Sequence, residues 1–202
     1  MDHQEAVKNL RVIRKIMESS SRYTLLPGVP AIIGGCLVLA AAAYTWFVTR
    51  SLDLNELGSL VRRADVVIGA WAAAGLLALA IDIAWASALA FRRGLNPFGR
   101  MARVAAYALG PPFVAGLVVG LYKLAFADYS QVAAYSMIFY GLGLWAAALF
   151  SDRSPQLMGA AFLAAGLLTL VWLGPWSLAV AAVTFGGFHI LFGAYVLARF
   201  GE

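Results

Sequence analysis

Two ionisable residues stand inside otherwise apolar runs: Asp82, within Val66 to Phe91, and His189, within the stretch TFGGFHILFGAYVLAR from Thr184 to Arg199. A carboxylate and an imidazole can pair as ions, share a proton or contact a polar ligand. In apolar spans such residues usually face the bundle interior and pair with one another. Asp82 lies ten residues before Arg92, and His189 ten before Arg199. At about 1.5 Å per residue each sits about 15 Å from the basic end of its segment, near the middle of a hydrocarbon core about 30 Å thick. The two therefore share one depth, and a hydrogen bond or ion pair between them is expected across the second and sixth spans. This candidate intramembrane polar pair reads in two ways, as a protonatable or ligand-contacting element or as a structural bond that fixes helix packing.

Few other residues could do chemistry. Ser136 and Tyr140 lie one turn apart in the fourth apolar run and are expected to make interhelical hydrogen bonds. Arg92, Arg93, Asn96, Arg100 and Arg103 cluster in and beside one short loop, where they are a topology signal and candidate headgroup-binding residues. The single cysteine, Cys36, has no partner for a disulfide and reads as a small core residue. No catalytic residue can be assigned, because the sequence holds no nucleophile elbow, phosphate-binding loop or zinc-protease motif. No metal-ligand cluster is present, and a haem held by two histidines would need His3, which lies in the N-terminal arm. No cofactor is expected.

The elements that must position these residues follow from composition. The 202 residues are 62% hydrophobic and 12% charged, with a mean hydropathy of +0.81. A soluble domain is about 45–50% apolar and about 25% charged, so most side chains here must be solvated by lipid. The fold class is all-α, a polytopic membrane helical bundle. Six spans are read at about 28–48, 66–91, 104–124, 131–150, 157–173 and 177–199. The run 66–91 exceeds the roughly 20 residues that cross a bilayer core, which implies tilt or a protruding end. Pro111 and Pro112 should kink the third span or delay its regular helix. Residues 50–65 carry Leu54, Leu57, Leu60 and Val61 at helical spacing, as a short surface helix would.

Ahead of the spans, residues 1–26 form an arm in which Ala6, Leu10, Ile13 and Met17 share one helical face and Lys8, Arg11 and Lys15 another. Such a helix lies in the membrane interface, its basic face on anionic headgroups. The arm shows no hydrophobic core of a signal peptide, so the first span is expected to direct insertion. Of the 15 Lys and Arg residues only Arg50, Arg62, Arg63 and Lys123 lie on one side of the spans; the rest place both termini in the cytoplasm. The net charge of +5 is thus explained by topology without nucleic acid. The expected partners are the lipid bilayer, anionic lipid headgroups, and a protein partner or second copy of the chain.

Two fragments recur. Gly28-x-Pro30-x-x-x-Gly34 is echoed by Gly110-x-Pro112-x-x-x-Gly116 at the entries of the first and third spans, and Trp85-Ala86-Ser87-Ala88-Leu89 by Trp145-Ala146-Ala147-Ala148-Leu149 at the exits of the second and fourth. Duplicated hairpins would leave such a trace. Gly116 and Gly120 form a GxxxG, while Gly186, Gly187 and Gly193 would let neighbours close on the last span and make it internal.

The segments Ile13-Arg14-Lys15-Ile16-Met17-Glu18, Tyr23-Thr24-Leu25-Leu26-Pro27-Gly28, Phe185-Gly186-Gly187-Phe188-His189-Ile190 and Arg199-Phe200-Gly201 resemble a group of uncharacterised bacterial predicted membrane proteins. In that group an IRxxME-like arm precedes the first span and an FGGxHIxFG-like segment closes the last. The resemblance covers the two ends more than the middle. It implies a six-span protein of the bacterial inner membrane, gives weight to His189 and carries no activity. The functional expectation is a non-catalytic interaction, sensory or regulatory membrane module. The alternatives are a small solute or proton-coupled transporter using Asp82 and His189, and a lipid-acting membrane enzyme working near Arg92, Arg93, Asn96 and Arg100.

Overall fold

A computed structural model describes residues 27–52, 61–92, 94, 96–126, 128–129, 131–149 and 153–200. The amphipathic arm, most of the proposed surface helix and Arg93 lie outside the described residues. Among the described residues every regular element is helical: α1 (Gly28–Thr49), α2 (Val61–Arg92), α3 (Arg100–Ala125), α4 (Val132–Ala148) and α5 (Arg153–Val171). A 3₁₀ turn at Gly174–Trp176 then opens a last helical column. That column consists of α6 (Ser177–Ala181), a π-helical segment (Ala182–Phe188) and α7 (His189–Phe200). Five helices are long and apolar enough to cross a membrane. The shorter apolar α4 has 17 residues, about 25 Å of helix. It starts late because Gln131 takes a left-handed conformation, φ 61°, and blocks extension of the helix. The chain is an all-α membrane protein.

Several boundaries differ from the sequence reading. The helix of the second span starts at Val61, so its 32 residues run to about 48 Å and include part of the stretch assigned to a surface segment. α3 runs unbroken through Pro111 and Pro112. Their missing donors act only on the carbonyls one turn back, and the helix on either side is long enough to carry the interruption. The GxPxxxG echo is not positional either. Gly28 and Pro30 open α1, whereas Gly110 and Pro112 lie in the middle of α3.

α1 runs antiparallel to the last column and α4 antiparallel to α5, and small residues set their spacing. A Cβ on Gly35 would stand 2.5 Å from the Gly186 carbonyl, and one on Gly28 would stand 2.8 Å from the Gly193 carbonyl. The first and last columns therefore touch backbone to backbone at two points seven residues apart. Without a hydrophobic drive between helices in lipid, such close approach supplies the van der Waals contact that holds them. Gly141 and Gly159 do the same for α4 and α5. Gly187 meets only Val183 at 4.0 Å, and of the GxxxG pair only Gly116 is engaged, against Phe139. Cys36, expected in the core, is exposed, because Gly34 and Gly35 take the contacts and the next residue turns away.

In section the helices form an open arc. α2 packs extensively on α1, α1 on the last column, α5 and α3 on α4, and the last column also touches α4 and α5. α2 and α3, although consecutive, are the two free ends of the arc and share no comparable packing. One polar link secures the α1–α2 contact: Trp71 Nε1 donates to Thr45 Oγ1 at 2.9 Å, and Thr45 in turn donates to the Ala41 carbonyl at 2.8 Å. Hydrogen bonds between membrane helices contribute about 0.6 kcal/mol on average and up to about 1.7. Trp71→Phe should therefore lower the thermal midpoint in detergent by a small, measurable amount, whereas Trp85→Phe, on an exposed position, should leave it unchanged.

Candidate functional site

The centre of the bundle is a box of rings. Phe162 of α5 is fully buried and lies 4.7 Å from Tyr140 and 4.8 Å from Phe185, ring centre to ring centre. Phe188 and His189 approach it at 5.8 Å and 5.6 Å. Phe113 of α3 stacks on Tyr140 from outside at 5.7 Å. All these spacings fall in the range where aromatic pairs add about 0.5–1.5 kcal/mol each beyond their area.

Inside the box Tyr140 and His189 are joined, hydroxyl to Nε2, at 2.7 Å. The bond ties α4 to the last column. The other ring nitrogen, Nδ1, is buried and has no hydrogen-bond partner among the described residues. That arrangement follows from the local backbone. His189 is the first residue after a seven-residue π-helical segment, and its own N–H reaches the Gly186 carbonyl. π segments are rare and are found disproportionately at functional sites, since the widened turn re-aims side chains and loosens the carbonyl ladder. Gly186 and Gly187 remove the side chains that would crowd it. Thr184, fully buried, holds the segment from within, its Oγ1 3.0 Å from the Val180 carbonyl and 3.2 Å from Met137 Sδ.

Asp82 and His189 do not bond directly. His189 bonds Tyr140 instead, and Asp82 Oδ1 is buried with no hydrogen-bond partner among the described residues. A shared depth does not bring two side chains together, because lateral position in the bundle decides the contact. α2, which carries Asp82, packs mainly on α1. Tyr140 comes from α4, whose register brings its hydroxyl to the imidazole.

Ser136, expected beside Tyr140 as an interhelical donor, turns back to the Val132 carbonyl at 2.8 Å. Of the arginine-loop candidates, Arg92 and Arg103 are exposed and Arg100 opens α3. Asn96 spends its Oδ1 on the Phe98 N–H at 2.9 Å and so shapes the turn. No hydrogen bond joins these residues into one site among those described. Lys123, at the opposite end of α3, pairs with Asp128.

Two cavities flank the box. One, of about 380 Å³, is a half-open groove with Trp71 and Gly75 of α2 on one side, Leu124 of α3 at its edge, and Ser136 of α4 with Leu178 and Phe185 of the last column among the residues of its floor. The second, of about 420 Å³, lies between α5 and the last column against Leu157, Met158, Phe188, Phe192 and Tyr195. Phe185 faces the first and Phe188 the second, with Phe162 in contact with both. The sequence pointed to His189 but not to Phe162, Thr184 or the π segment; the Gly186-Gly187 pair beside the histidine is the one local signal. No group of three or more metal-type ligands occurs among the described residues. No family model, no curated protein and no solved structure matches the chain.

Proposed function

We propose that the chain is a six-span protein of the bacterial inner membrane, with both termini in the cytoplasm, that serves as a non-catalytic interaction, sensory or regulatory module. The reading is carried by one observation. The arc of helices leaves a half-open groove beside α2, with α3 at its edge, while the polar pair behind its floor is enclosed by rings. A pocket that a membrane-borne molecule enters sideways, and that ends against a packed core, suits recognition. α2 and α3 each lean mainly on one neighbour, so they are the elements whose position an occupant could change. The arm and the arginine loop supply contacts to anionic headgroups on the cytoplasmic face. The resemblance of its end segments to that group fits the same reading.

The transporter alternative draws on the two cavities that approach the aromatic box from different sides. It requires passage past Tyr140 and His189, yet neither cavity is lined by Asp82, Tyr140 or His189. Proton flux separates the two readings. Purified protein in vesicles loaded with a pH dye should dissipate an imposed proton gradient no faster than protein-free vesicles. Faster decay that is abolished by His189→Gln would replace the module with a proton-coupled carrier.

A further inference from the structure

The cleft between α5 and the last column opens toward helix ends that carry arginines. α5 packs on the Gly174–Trp176 turn, on α6 and on the π segment, but makes no comparable contact with α7. The two arms therefore part toward the start of α5 and the end of α7, and the cavity of about 420 Å³ lies in the gap. Its lining runs from Ser154 to Ala161 on one arm and from Phe188 to Tyr195 on the other. Seven residues on each arm correspond to about 10 Å along a helix. Phe188, packed edge-on against Phe162, stands at the inner end. Leu157, Met158, Leu191 and Phe192 make the walls apolar, with Leu157 and Leu191 largely exposed.

The outer end is polar. Ser154 and Tyr195 line it, Arg153 stands one residue before Ser154, and Arg199 lies one turn beyond Tyr195. Arg199 Nη1 donates to the Tyr195 hydroxyl, and the guanidinium carbon stands 5.7 Å from the centre of the Tyr195 ring. Tyr195 thus holds a guanidinium at the mouth of the cleft, and both arginines are exposed. A guanidinium presents its N–H donors as a fork that matches two phosphate oxygens. Shape narrows the occupant further. The cleft follows the helices from the level of their charged ends for about 10 Å, into a leaflet whose hydrocarbon is about 15 Å deep. A helix of that length, about 10–12 Å across, would fill about 800 Å³. The cleft offers about half of that. An acyl chain is narrower and runs in the same direction.

We propose that this cleft binds one anionic glycerophospholipid, with its phosphate on Arg199 and Arg153 and one acyl chain lying along Leu157, Leu191 and Phe188. Basic pockets between membrane helices take anionic headgroups in this way. A phosphatidylcholine carries its own cation beside the phosphate and is bound less well. The site is separate from the groove beside α2 and from the arginine loop, and it serves a module or a carrier alike.

The test titrates the full chain in detergent with dimyristoyl phosphatidylglycerol and, separately, with dimyristoyl phosphatidylcholine, and reads lipid adducts by native mass spectrometry. One saturable phosphatidylglycerol site is expected, at least about tenfold tighter than for phosphatidylcholine, a difference of about 1.4 kcal/mol. The double variant Arg153→Gln/Arg199→Gln, with its folding checked by thermal midpoint, should lose that tenfold preference and keep its phosphatidylcholine affinity. Arg50→Gln, which removes a charge beyond the end of α1, should change neither. In nanodiscs, phosphatidylglycerol with a diazirine in its acyl chain should label the segments 157–161 and 188–192, and excess unlabelled phosphatidylglycerol should suppress the labelling. Equal affinity for the two lipids, an unchanged preference in the double variant, an equal loss in Arg50→Gln, or labelling spread over the helices without competition would each overturn the proposal.

Discussion

Phe162→Ala is expected to be among the most damaging single truncations in the described core. In a bilayer the unfolded helix already sits among lipid tails, so little of the loss is hydrophobic transfer and most of it is packing. Phe162 is fully buried and touches four rings, those of Tyr140, Phe185, Phe188 and His189. At about 0.5–1.5 kcal/mol per ring contact, with a cavity left behind, the loss should be about 2–5 kcal/mol. Thermal unfolding in detergent should show a large fall in midpoint. Phe91→Ala, at a position 68% exposed, should behave as wild type.

The second large effect comes from adding one methyl group. Gly35→Ala gains helix propensity, about 0.5–1 kcal/mol relative to glycine. Against this, the new Cβ would stand 2.5 Å from the backbone oxygen of Gly186 and 2.7 Å from the Ile190 side chain. A backbone oxygen cannot swing aside, so α1 and the last column must separate, at a cost of about 1–3 kcal/mol or more. The clash outweighs the propensity, and net destabilisation is expected. Gly69→Ala, where nothing lies within 4 Å, has only the propensity gain and should be neutral or slightly stabilising. Equal midpoints for the two variants would show that the glycine contact does not hold these helices together.

These two residues also mark what sequence could and could not disclose. The apolar helices were readable because each is a long apolar run, and an expected depth could be set because residue counts convert directly to distance along a helix. Asp82 and His189 could therefore be assigned a common level. Which side chain each would meet could not, since that depends on how helices are arranged around the bundle axis. Tyr140 is thus the partner of His189, although it lies 49 residues away in sequence.

The π segment was hidden for a related reason. A widened turn is stabilised by tertiary contacts, here Thr184 against Met137 and Gly186 against α1, that leave no periodic trace. Gly35 and Gly186 were legible as small residues but not as a pair. Cys36 was misplaced because a uniformly apolar helix does not reveal its buried face, and α1 presents apolar side chains both to the bundle and to its exposed side.

The central claim is that Tyr140 and His189 form an enclosed bond that joins α4 to the last column behind the groove. A double-mutant cycle on thermodynamic stability tests it most directly, using Tyr140→Phe, His189→Leu and the double variant in detergent micelles. Each single change leaves one buried polar group without its partner, at about 1–3 kcal/mol. The double change removes both, so the losses should not add; a coupling of about 0.6–1.7 kcal/mol is expected. Strictly additive losses would contradict the bond and the architecture built on it.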